Sequence, residues 1–181
     1  RRGISGGYFG TRPDIGVIER TVSAHLEALN IDGRDATVLA SALWVEVVRK
    51  AALADRGQVH AMTEAMKRRV QAMPESASYV MVRDLELLSQ AEMFRVTNST
   101  YIKLIFDINV EFSRRRFPDS PIEDDESPEH RAFVKLWREA KIQELNAVAL
   151  GDADLAAIAA QYSRKVWYRR IGRRFGMSLF G

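Results

Sequence analysis

Between Tyr79 and Phe112 the chain reads YVMVRDLELLSQAEMFRVTNSTYIKLIFDINVEF, two consecutive stretches with apolar residues at helical spacing, hinged at Thr97-Asn98. Neither helix can bury such a face alone, so this pair demands further helices around it. The rest of the chain supplies them. Pro13-Asp14 opens a helix with Val17, Ile18, Val22, Leu26 and Leu29 on one side, closed near Asn30 and Gly33. A longer one follows from Asp35 to about Ala54, with Val38, Leu39, Leu43, Trp44, Val47 and Val48 apolar, and is expected to be mostly core. Gln58 to Met73 is amphipathic with a methionine stripe, and Pro74 stops it. The central pair spans 75 to 96 and 98 to 116, with Asn98 expected as the N-cap of its second helix. Ser127-Pro128 starts a helix whose stripe includes Phe133, Leu136, Trp137, Leu145 and Val148, and Gly151-Asp152 ends it. A final helix from 153 to about 171 turns Leu155, Ile158, Tyr162, Val166 and Trp167 inward.

No segment of strand period follows residue 12, so the expected fold is all-α, an antiparallel bundle of six to seven helices joined by short loops. Residues 1–12, RRGISGGYFGTR, read instead as the second half of a β-hairpin whose first half is missing, which leaves 13–181 as the helical domain. The chain lacks any run of about 18 apolar residues, so no membrane span is expected, and RRGISGGYFG has no apolar core of a secretory signal. The absence of cysteine excludes disulfides, thiolate metal sites and a cysteine nucleophile, and fits a cytoplasmic protein. Charge is uneven: the segment from Arg164 to Arg174 is dense in arginine, whereas Asp119 to Glu126 carries five acidic residues and no basic one. The basic helix end is expected to complement the helix dipole.

One carboxylate stands out. Asp84 has Val80, Met81, Leu87 and Leu88 as its neighbours at three and four residues, which puts an acid on a greasy face. It either anchors a polar pocket or rotates to the flank and pairs with Arg83. Little else suggests chemistry. His25, His60 and His130 lie on three different helices, outside any HxxxH or HExxH spacing, and read as surface groups. Phosphate-binding glycine loops and a GxSxG elbow are absent, so no catalytic activity is expected.

Three blocks, in this order, resemble the GntR family of transcription regulators and its FadR subfamily. Gly3-Ile4-Ser5-Gly6-Gly7-Tyr8-Phe9 is similar to the wing strand of that family's winged-helix domain. Asp84, with Thr97-Asn98-Ser99-Thr100-Tyr101 beyond it, is similar to an aspartate-led D-x-x-F-H pattern followed by G-N. Ala147 to Asp152 with Leu155-Ala156-Ala157 is similar to A-I-x-x-G-D then A-x-x-A. The resemblance implies an all-helical effector-binding and dimerisation domain. It would act as a homodimer and reach DNA through a winged helix absent from this chain, and its effector would be a small molecule such as an acyl-CoA, fatty acid or carboxylate.

Many members hold a metal through one aspartate and three histidines, but the histidine positions correspond here to Leu88, Lys141 and Ser163 or Tyr162. No metal and no other cofactor is therefore expected, and Lys141 is expected to balance Asp84 as an ion pair in place of a coordination site. The segment Tyr162 to Trp167 is similar to the S-G-x-I-W segment of the acyl-CoA-responsive branch, with Arg164 in place of the glycine. The pocket residues this reading nominates are Asp84, Asn98, Tyr101, Lys141, Ser163 and Trp167. Trp44, Leu88 and Trp137 would complete an apolar wall.

Overall fold

A computed structural model describes residues 14–116 and 127–175, and the hairpin expected over 1–12 lies outside them. Among the described residues there are seven helices: α1 (Ile15–Ala28), α2 (Gly33–Ala52), α3 (Arg56–Ala72), α4 (Tyr79–Thr97), α5 (Thr100–Arg116), α6 (Pro128–Leu150) and α7 (Ala153–Phe175). The all-α expectation holds.

Local chemistry sets the boundaries. Asp14, Asp55, Ser78 and Ser127 each cap a helix by accepting from a backbone N–H two or three residues on, at 2.9–3.2 Å. Asp152 does the same for α7, its Oδ1 accepting from Leu155 N at 2.9 Å. Gly151 ends α6 with φ 77, where a side chain would be strained. The helix expected from 75 starts at Tyr79, because residues 74–77 form a turn in which Ala77 N donates to Pro74 O. Asn98 is also reassigned. It is the left-handed C-cap of α4, with φ 47 and its N–H on Phe94 O, and α5 begins only after Ser99. Asparagine tolerates that conformation better than other non-glycine residues, which explains its presence at the hinge.

α2 is the axis of the bundle, packed against α4, α5, α6 and α7. Its fully buried Trp44 meets Phe94 of α4 edge-on at 6.3 Å and Phe106 of α5 at 6.0 Å between ring centroids. α7 lies antiparallel to it. Tyr168 near the end of α7 donates to Thr37 O at the start of α2, and Arg49 near the end of α2 pairs with Asp154 at the start of α7. α1 packs on α5, with the buried Ser23 hydroxyl donating to Ile108 O at 3.1 Å. α3 presses Val59, Met62, Met66 and Val70 inward against α4 and α6, so the methionine stripe is core. His130 is buried rather than exposed, its Nε2 donating to Ala77 O at 2.8 Å and so pinning the turn before α4 to the start of α6.

The C-cap role of Asn98 has a measurable consequence. Asn98→Gly is expected to leave stability unchanged within a few tenths of a kcal/mol, whereas Asn98→Thr, a good N-cap but a poor left-handed residue, should cost about 1 kcal/mol in urea unfolding.

Candidate functional site

α4 turns three polar residues inward and three large apolar ones outward. Val82, Glu86, Ser89, Gln90 and Met93 are buried, while Val80, Met81 and Leu87 are exposed. Asp84 goes outward with them: its side chain is 61% exposed and bonds to Arg83 Nη2 at 3.1 Å. The ion pair expected between Asp84 and Lys141 is therefore absent, because the face of α4 that carries Asp84 is the outer one and the partner of the cation comes from its inner face.

That partner is Glu86. Lys141 is fully buried, and its Nζ lies 2.7 Å from Glu144 Oε1 and 3.0 Å from Glu86 Oε2. Every carboxylate oxygen in the triad has a donor. Glu86 Oε2 also accepts from Trp137 Nε1 at 3.0 Å and Glu86 Oε1 from Gln90 Nε2 at 3.2 Å, while Glu144 Oε2 accepts from Trp44 Nε1 at 3.2 Å. The ammonium also sits 5.5 Å from the centre of the Trp44 ring, in cation–π range. Lys141 and Glu144 are neighbours at three residues on α6, Glu86 reaches them from α4 and Trp44 from α2, so the triad ties three helices together.

Electrostatics favour the charged forms of Glu86 and Lys141. Burial opposes the charged form of Glu86, but the charges of Lys141 and Arg164 and the hydrogen bonds from Lys141 and Trp137 outweigh it and hold this carboxyl below its ordinary value. Burial likewise opposes the Lys141 ammonium, and Glu144 and Glu86 outweigh it and raise the lysine above its ordinary value.

On α7, Arg164 is only 6% exposed and its Nη2 donates to Tyr168 OH, whose hydroxyl in turn reaches Thr37 O at 3.4 Å. So the basic end of α7 is not uniformly a solvated face. Ser163 and Trp167 are buried, with Trp167 stacked on Tyr79 at 5.8 Å and tilted against Phe133 at 6.0 Å.

Of the six nominated residues, Lys141, Ser163 and Trp167 are thus in the interior. Asp84, Asn98 and Tyr101 are on the surface, Tyr101 with 75% of its area exposed. Glu86, Gln90, Glu144 and Arg164 are the interior residues the nomination omits. A signal for two of them exists: Glu86 and Gln90, four apart, share a face with Val82 and Met93, so the acid-led pattern falls two residues after Asp84. Among the described residues no group of three or more His, Asp or Glu could hold a metal ion. Nor is any helix among the described residues long and apolar enough to cross a membrane. The chain matches no protein-family model, no curated protein and no solved structure.

Removing the cation alone leaves two buried carboxylates without their counter-charge. Lys141→Met is expected to cost about 3–5 kcal/mol in urea unfolding, and combining it with Glu86→Gln and Glu144→Gln should recover most of that loss. The pH dependence has two arms. Glu86, depressed in the fold, stabilises above its ordinary carboxylate value of about 4.3, and that contribution is lost as pH falls through its folded value. Lys141, raised in the fold, stabilises below its ordinary value of about 10.4 and the contribution is lost as pH rises through its folded value. The stability difference between wild type and the triple variant should therefore be flat between these limits and shrink outside both.

Proposed function

We propose that this bundle is the effector-binding and dimerisation domain of a GntR/FadR-like DNA-binding transcription regulator. A small apolar molecule with a polar or acidic end would control operator binding through winged helices outside this chain. The observation that carries the proposal is the polar centre where α4, α6 and α7 converge inside a helical bundle, with Lys141 and Ser163 buried at positions that in the resemblance hold the metal ligands. A built-in ammonium supplies there the positive charge that a divalent ion supplies in metal-binding members. The order of the three resembling blocks supports the family, and the seven-helix architecture is compatible with it.

Dimerisation is supported by surface apolarity. α2 and α7 run side by side and leave Leu39, Leu155, Ile158 and Tyr162 exposed, apolar groups that a second copy could cover. On this reading the protein is not an enzyme and works in the cytoplasm. Effector binding would bias the relative placement of two winged helices, a coupling typically of about 1–3 kcal/mol.

A second reading has its own observation. Glu86, Lys141 and Glu144 satisfy one another so fully that the bundle could be a solid dimerisation and interaction module with no ligand pocket.

Thermal-shift measurements with acyl-CoAs, fatty acids and small hydroxy and keto acids separate the two. The effector reading expects a concentration-dependent rise in Tm with at least one class, as mass action requires of any ligand that binds the folded state. Sedimentation equilibrium should give a dimer on either reading. A dimer without any thermal shift would leave only the packed module.

A further inference from the structure

α7 carries two seams. Ala156, Ala160, Ser163 and Trp167, all buried, form the one that packs on the bundle. The other faces outward. Leu155, Ile158, Tyr162, Lys165 and Arg169 recur at alternating steps of three and four residues, and each is exposed. That alternation is the spacing at which two helices lie along each other and interdigitate, whereas the outer side of a helix serving a lone bundle is ordinarily polar throughout. The seam is also graded in charge. It begins beside Asp152 and Asp154, both exposed, is apolar through Leu155, Ile158 and Tyr162, and ends on Lys165 and Arg169. Arg49 of α2 approaches Asp154 at 3.6 Å, yet 91% of the aspartate side chain stays exposed.

We infer that the outer seam of α7 pairs antiparallel with the same seam of a second copy of this chain, about a two-fold axis near Ala160. The inference rests on the dimerisation proposed above and specifies its surface and its direction. Charge complementarity selects both. Turned end for end, each helix brings its acidic start to the basic end of the other, twice by symmetry, whereas a parallel pair would set like charges together. An axis at 160 puts Ile158 of one copy against Tyr162 of the other and Leu155 against the hydrocarbon stem of Lys165. Asp154 then falls between Lys165 and Arg169 of the other copy. The exposed apolar face of α4 has no such gradient, since Arg83 and Asp84 pair with each other there, at 3.1 Å.

The chain has no cysteine, so introduced thiols report the contact directly. Oxidation of an equimolar mixture of Ile158→Cys and Tyr162→Cys is expected to give disulfide-linked dimer several-fold faster than either variant alone, because only unlike copies set the two thiols opposite each other. In sedimentation equilibrium Ile158→Asp should weaken the dimer about 100-fold, and Leu87→Asp, on the α4 face, should leave it unchanged. Asp154→Lys should weaken it about tenfold, as should Lys165→Glu with Arg169→Glu, and a mixture of these two proteins should dimerise nearly as tightly as wild type. All the substituted side chains are exposed, so each variant keeps the fold, which circular dichroism checks. Faster cross-linking of Ile158→Cys alone than of the mixture, a dimer indifferent to Ile158→Asp, a dimer broken by Leu87→Asp, or no rescue on mixing the charge variants overturns the seam and leaves a dimer formed through another face. A wild-type protein that stays monomeric overturns the seam and the dimerisation reading together.

Discussion

The fold depends on one ammonium shared between two carboxylates. Taking Lys141, Glu86 and Glu144 out of water costs several kcal/mol for each charge, and only close geometry with every remaining lone pair satisfied offsets it. The structure meets that condition: both indole N–H groups and the Gln90 amide are committed to the four carboxylate oxygens. Because these donors come from α2, α4 and α6, a one-residue slide or a rotation of any of the three would strand a buried charge. Apolar packing alone tolerates such shifts much better, so the network specifies the register of the bundle more than it adds to its stability.

This also explains which parts of the molecule are legible in the sequence. Helix ends are local, and Asp14, Ser127-Pro128 and Gly151-Asp152 announce them through caps that need no knowledge of the fold. The inward face of α4 is not local. Reading apolar residues as inward points to Val80, Met81 and Leu87 and carries Asp84 with them, whereas the buried face takes Glu86, Ser89 and Gln90 together with Val82 and Met93. Periodicity reports that α4 has two faces; which one is buried depends on Lys141, which lies 55 residues from Glu86 along the chain. On α6 the ambiguity is smaller, since Lys141 and Glu144 are embedded among Trp137, Ala140, Leu145 and Val148, and the whole stripe is buried.

The exposed apolar residues follow from the same inversion. With Glu86, Ser89 and Gln90 sharing the buried face with Tyr79, Val82, Met93 and Phe94, α4 has Val80, Met81 and Leu87 left for the outside, and α7 exposes Leu155, Ile158 and Tyr162 while burying Ser163 and Arg164 beside Val166 and Trp167. Hydrocarbon left on the outside of these helices is compatible with a monomer only at a cost in solubility. Self-association removes the cost, which is the physical link between the ionic core and the dimer proposed for it.

The satisfaction of Lys141 constrains how any ligand could act. An acid that bound the ammonium would have to displace Glu86 or Glu144 and strand it, a loss that few small molecules could offset. Arg164 is held by the Tyr168 hydroxyl, and that hydroxyl also reaches the Thr37 carbonyl at the start of α2. That contact fastens the end of α7 to the start of α2, and because α2 is the helix against which four others pack, it ties the buried guanidinium to the axis of the bundle.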